Sequence, residues 1–259
     1  MSAFDLISPI TGAPGQVTLP TSEKWMQGRT LYGGASALVA YTAARRAFPD
    51  LPPLRAGQVA FVGPVGGEFS LHAEIVREGR NVTQVRSEIR DGDKTVLSAF
   101  WLFGSDREPN ARHPVAEAND WPGAPDENEP VMVDKGPSFI SNNFELRRAQ
   151  EERGSGPPIV RRWIRLREPS GLDPVSELVL LGDTLPPGSM RAMQRPGPLS
   201  SINWSFNVLD TQPTTSDGWW LAETASEWAD QGYSSERLRL WNASGEQMLA
   251  GIQSVAVFG

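Results

Sequence analysis

The sequence predicts an α+β protein of two similar units, each an antiparallel sheet carrying one buried principal helix. Three observations predict it. A Gly/Ala-rich helical stretch is followed by segments whose apolar residues alternate with a period of two. After a proline-rich segment, a helix followed by strands appears again. Two turn glycines repeat at one spacing: Gly79 and Gly232 stand 153 positions apart, as do Gly92 and Gly245.

The first helix is expected over Gly33 to Phe48, with Ala37, Leu38, Tyr41 and Ala44 on one face. Arg45 and Arg46 suit its C-terminal dipole and Pro49 stops it. Its small residues imply close packing, most simply against a sheet. Strands are expected over Gln58 to Val62, Phe69 to Arg77, Asn81 to Arg90 and Lys94 to Phe103, the last two joined by a hairpin at Asp91-Gly92. Gly104 to Gly136, rich in proline and acidic residues, has linker composition.

Beyond it, Asn143 to Arg148 and Ile159 to Leu166 are strand candidates. Asp173 to Asp183 is a helix candidate, with Asp173 suited to its cap, Pro174 to its first turn and Pro186-Pro187 as its stop. Strands follow over Ser201 to Asp210, Trp219 to Glu227, Tyr233 to Asn242 and Gln247 to Phe258. The helices match at a shorter offset of 140, Leu38-Val39 with Leu178-Val179, so the second unit needs extra loop. The expected division is a first unit over 1–115, a linker over 116–129 and a second unit over 130–259.

Composition narrows the function. At 39% hydrophobic and 21% charged, the chain of 259 residues is globular. A net charge of -7 disfavours nonspecific nucleic-acid binding, and no nucleic-acid partner is expected. The lack of cysteine excludes disulfides, thiolate metal sites and a cysteine nucleophile. Two histidines, His72 and His113, exclude a three-histidine metal site. No run of 18 apolar residues suggests a membrane span, and Met1 to Gln16 does not read as a secretory signal. A cytoplasmic location without membrane insertion is the default expectation. A homo-oligomer stays open.

Four pieces in order carry a family resemblance. They are Gly28-Arg29-Thr30-Leu31-Tyr32-Gly33-Gly34, Leu178-Val179-Leu180-Leu181-Gly182-Asp183, Ser200-Ser201-Ile202-Asn203-Trp204-Ser205-Phe206, and Gly245 through Gln253. With the order of elements, the chain resembles the TesB-like acyl-CoA thioesterases, over nearly its whole length. The resemblance implies a double hotdog, in which each sheet wraps around a central helix. It also implies hydrolysis of an acyl-CoA thioester to a carboxylic acid and free CoA, with no metal or other cofactor. In this family an aspartate, a hydroxyl residue and a glutamine hold the hydrolytic water, and the matching positions are Asp183, Ser201 and Gln253. Serine here replaces the usual threonine, keeping the hydroxyl and losing the methyl that restrains its rotamer.

The residues are consistent with those roles. Gly33 and Gly34 open a helix, where free amides can hold an oxyanion; glycine also simply permits close backbone approach. Asp183 follows an apolar run at a helix end, where dipole and burial both raise a carboxylate pKa; in the first unit its counterpart at offset 140 is Ala43, which argues for one site per chain. Gln253 interrupts an apolar strand and must find a partner. Asn203, two residues from Ser201, is expected to share its side of the strand. Arg29 and Arg80 are candidate contacts for the phosphates of CoA. No hydroxyl has an evident histidine or lysine activator, which leaves a serine-hydrolase mechanism unsupported. The alternative is a noncatalytic protein that binds acyl-CoA or another acyl ligand.

Overall fold

The computed structural model describes residues 2–18, 22–113, 115, 121–132, 136–150 and 156–259. The order of elements is α1 (Ala3–Ile7), β1 (Gly15–Thr18), β2 (Met26–Gln27), β3 (Thr30–Leu31), α2 (Gly33–Ala47), β4 (Leu54–Phe61), β5 (Glu68–Glu78), β6 (Val82–Asp91) and β7 (Lys94–Gly104). Then come α3 (Ser138–Asn143), β8 (Phe144–Arg148), β9 (Ile159–Leu166), α4 (Pro174–Leu181), β10 (Leu199–Val208), β11 (Trp220–Asp230), β12 (Tyr233–Asn242) and β13 (Gln247–Val257). Short 3-10 turns lie at Ser22–Trp25 and Gly188–Ala192.

Eleven strands form one antiparallel sheet in the order β1-β5-β6-β7-β4-β10-β13-β12-β11-β9-β8. The pairing is local within each unit, β5-β6-β7-β4 and β11-β12-β13-β10. The units join where β4 meets β10, with Asn203 opposite Ala60 and Asn207 opposite Ala56. This is the double hotdog: the inner face encloses α2 and α4. α2 is buried from Gly34 to Ala44, which explains its alanines, since only small side chains let a helix lie this close to its neighbours. A methyl group at Gly34 would fall 2.1 Å from the Leu180 carbonyl oxygen, so the two helices touch backbone to backbone there.

Tyr32 locks the crossing. Its hydroxyl donates to the Leu180 oxygen at 2.6 Å, and its ring stacks on Phe139 with centroids 4.4 Å apart. The Asp173 side chain caps α4 by accepting from the Ser176 amide at 3.0 Å. The hairpin at Asp91-Gly92 forms with Gly92 at φ 55°, and Gly245 turns its counterpart at φ 89°.

Several expectations shift. α4 ends at Leu181, so Asp183 lies just beyond the helix. β4 begins at Leu54, ahead of the expected strand. The linker also contributes to packing. Trp121 lies edge-on to Trp163, 5.6 Å between centroids, over a second apolar cluster of Ala149, Trp163, Trp219, Leu221 and Trp241 on the outer face. Parts of this linker, residues 114, 116–120 and 133–135, lie outside the described residues. Among the described residues, no helix is long and apolar enough to cross a membrane.

Candidate active site

The site forms where the start of α2 meets the end of α4. Three pieces of chain converge there. α4 runs into the Gly182-Asp183 turn, α2 presents Gly33, and β13 carries Gln253 on the inner face of the sheet. Gly182 is required at the turn, because a methyl group there would lie 2.6 Å from the Trp204 ring. Trp204 stands directly opposite Gln253 on β10, so the indole supports both the turn and the strand.

Gln253 is 3% exposed, and its Nε2 donates to Oδ1 of Asp183 at 2.8 Å. The other carboxylate oxygen faces α2: a methyl group at Gly33 would lie 1.8 Å from Oδ2. Phe61, at the end of β4, closes the same spot, its ring tip 3.1 Å from that methyl position. Burial pushes the Asp183 carboxyl up to about 7, and the hydrogen bond from Gln253 pulls the other way by favouring the charged form. Asp183 keeps partial solvent access. The buried Tyr32 phenol rises well above its ordinary value, mainly through burial, with Asp183 adding to the rise and Thr184 opposing it.

The amides of Gly33, Gly34 and Ala35 have no acceptor among the described residues. A helix start with free donors therefore sits against a carboxylate of raised pKa. The start of α4 differs. Pro174 has no amide hydrogen, Asp173 occupies the Ser176 amide, and Ala43 stands at the position that corresponds to Asp183.

Ser201 is opposite Val255, a fully buried residue on the same face as Gln253, so its hydroxyl is on the inner side of the sheet. It makes no side-chain hydrogen bond among the described residues and is partly exposed. Asn203 corrects the expectation from alternation. A β-bulge between Ser201 and Asn203 shifts the register by one, so Asn203 pairs with the exposed Ser254, and its Oδ1 accepts from the Ser254 amide at 3.2 Å on the outer face. Arg29 lines an open cavity of about 920 Å³ with Met26, Val62, Pro64 and Lys94. The loop bearing Val65 is tied to β3 by the Leu31 amide at 2.7 Å, which sets this cavity beside the start of α2. None of Asp183, Ser201 and Gln253 lines it. Arg80 is not brought near: it lies in the turn between β5 and β6, at the far end of β4 from Phe61, about 25 Å along the strands.

Sequence reasoning missed Tyr32, Phe61, Trp204 and Thr184. Tyr32 and Trp204 lie within the matched pieces, but nothing in them marks one as a helix tie and the other as a floor. Thr184 is 2% exposed, and its side chain lies against the Tyr32 phenol, whose charged form it favours. No cluster of three metal-ligating side chains occurs among the described residues.

The sequence matches the family described as "Acyl-CoA thioesterase N-terminal domain" over residues 21–104 and that described as "Acyl-CoA thioesterase C-terminal domain" over 110–257. No curated protein matches the chain by sequence. Among solved structures, a conserved hot-dog-fold protein from Alicyclobacillus acidocaldarius superposes with a TM-score of 0.80 at 21% identity, covering 95% of this chain and 92% of its own. A TesB protein from Mycobacterium avium subspecies paratuberculosis gives 0.74 at 18% identity, covering 100% of both chains. The acyl-CoA thioesterase II TesB2 of Mycobacterium marinum gives 0.68 at 15% identity, covering 87% of this chain and 88% of its own. The chain belongs to the acyl-CoA thioesterase family, with the double-hotdog fold.

Proposed function

We propose that the protein hydrolyses an acyl-CoA thioester to a carboxylic acid and free CoA, with Asp183 as the base. The observation that carries this reading is the hydrogen bond from Gln253 to Asp183 at the uncapped start of α2. Asp183 takes a proton from a water, and the water oxygen attacks the thioester carbonyl carbon. The negative charge on the carbonyl oxygen is met by the amides at Gly33 and Gly34. Collapse of the tetrahedral intermediate breaks the carbon–sulfur bond, and the proton on Asp183 passes to the departing thiolate. Gln253 holds the carboxylate in place, and Ser201, on the same face, orients the water. A pKa of about 7 suits a carboxylate that must accept and then return a proton near neutral pH.

A noncatalytic acyl-ligand binder would have no use for a buried proton acceptor, which costs stability when ionised. Arg29, on the cavity beside α2, remains the candidate for a CoA phosphate contact. The same reading divides the chain into units over 1–115 and 130–259 with a linker over 116–129, and takes the cytoplasm as its location. A panel of acyl-CoA substrates with free-thiol detection tests it. Turnover that rises with enzyme concentration is expected. Tight binding without thiol release would favour the noncatalytic binder.

A further inference from the structure

Three arginines at the β8 edge of the sheet have no counterpart in the chemistry above. On β8, Phe144 and Leu146 face the inner core, and Arg148 continues the same face. On β9, Val160 and Ile164 face the core with Arg162 between them. Arg148 and Arg162 are directly opposite each other, an arrangement of like charges that destabilises a sheet by itself. The 3-10 turn at Gly188–Ala192 packs on β9 and β11 and carries Arg191. Its Nε and Nη2 are buried with no hydrogen-bond partner among the described residues.

No carboxylate among the described residues pairs with any of the three, and the one bond made by Arg162 runs from Nη1 to the Arg161 oxygen at 2.6 Å. Burial, then Arg148 and Arg191, hold the Arg162 guanidinium below its ordinary value. The turn is held rigidly. Glu236, fully buried, accepts from the amides of Gly188 at 2.8 Å and Ser189 at 3.3 Å. Glu236 stands opposite Gln253 in the sheet, so the support of Arg191 is continuous with that of Asp183.

Partly buried guanidinium groups that repel one another are costly unless an anion joins them. We propose that Arg148, Arg162 and Arg191 form a binding site for a phosphate-bearing anion at the inner β8–β9 edge. Forked donors from three neighbouring arginines suit the several oxygens of a phosphate better than a single carboxylate. Arg191 follows Asp183 by eight residues, which places the cluster within about 28 Å of the candidate base. Two sources can supply this chemistry, the phosphates of CoA or a separate phosphate-bearing effector. Only the first rests on the proposed function.

The test is thermal unfolding with inorganic pyrophosphate and with adenosine 3′,5′-bisphosphate, at ionic strength matched with sodium chloride. Wild type should show a saturable rise in Tm of about 5–10 °C at a hundredfold excess over Kd. Arg191→Gln and Arg162→Gln should each lose most of that rise while folding as well as wild type, since each removes a repelling charge. Kinetics then separate the sources. A roughly tenfold higher KM for acyl-CoA in these variants, with kcat unchanged and no change for an acyl-pantetheine substrate, assigns the anion to CoA. An unchanged KM assigns it to an effector. Absence of a saturable rise in wild type, or an equal rise in both variants, overturns the site, and either result stands whether or not the protein proves to be a hydrolase.

Discussion

Nε2 of Gln253 lies 2.8 Å from Oδ1 of Asp183, joining β13 to the turn that follows α4. The contact is charge-assisted only when Asp183 is ionised, so it opposes the effect of burial on this carboxylate. The pH behaviour of the protein follows from the balance of these two effects.

If Asp183 is the base, it must be ionised to act. The low-pH limb of kcat/KM should rise through an apparent pKa near 7, the value to which burial raises the group. A solvated aspartate would place that limb near 4. The measurement is kcat/KM for one acyl-CoA from pH 5 to 9.

Gln253→Ala removes the hydrogen bond that favours the charged form. The same limb should move upward by about one unit, and turnover should fall at every pH because the carboxylate is no longer held. The change should be non-additive with Asp183→Asn in the double variant, since Gln253 bonds directly to the Asp183 carboxylate. Additive losses in the rates of the three variants would separate the two residues.

The paired glycines should divide into different phenotypes. Alanine at position 33 would push its methyl group into the Asp183 carboxylate, the movable end of a side chain, so activity should fall about a hundredfold or more while the fold survives. Alanine at 34 meets the Leu180 backbone oxygen, which cannot yield without parting the helices, so stability should fall by more than about 2 kcal/mol. Chemical denaturation alongside rate assays checks both.

Ionising a buried carboxylate also leaves a mark on folding. The folded pKa of Asp183, about 7, exceeds its unfolded value of 3.8, so between these limits the folded state holds the extra proton. Stability is therefore lost as pH rises through that window, by at most about 4 kcal/mol and less where solvent reaches the group. Asp183→Asn should be more stable than wild type at pH 8, with the advantage shrinking toward pH 4. Tm difference measured at both pH values decides this.

The fold was largely legible because periodicity carries it. The switch from a helical period to a period of two after Pro49 located α2 and the strands from β4 to β7, and the hairpin glycines marked the second set. The candidate site was legible only in part. Asp183, Gln253 and Gly33 stood in matched pieces of sequence, but their mutual contact depends on where two helices 140 residues apart in sequence cross. That crossing is set by backbone approach at Gly34 and the Tyr32 hydroxyl, which no local pattern reveals. Asn203 was misplaced because a bulge adds one residue without a sequence signature. Arg80 was singled out by charge alone, and charge does not say at which end of a strand a turn falls. The short β1 depends on the long strand it borders, and its own four residues are too few to show a period.

The most direct test of the account is the turnover of Asp183→Asn at pH 8, read by free-thiol release from an acyl-CoA that wild type hydrolyses. Asparagine keeps the shape and a polar contact to Gln253 but cannot take a proton from water. The account predicts a loss of kcat/KM of about a hundredfold to ten-thousandfold in a folded protein. Turnover close to wild type would contradict it and remove Asp183 from the chemistry.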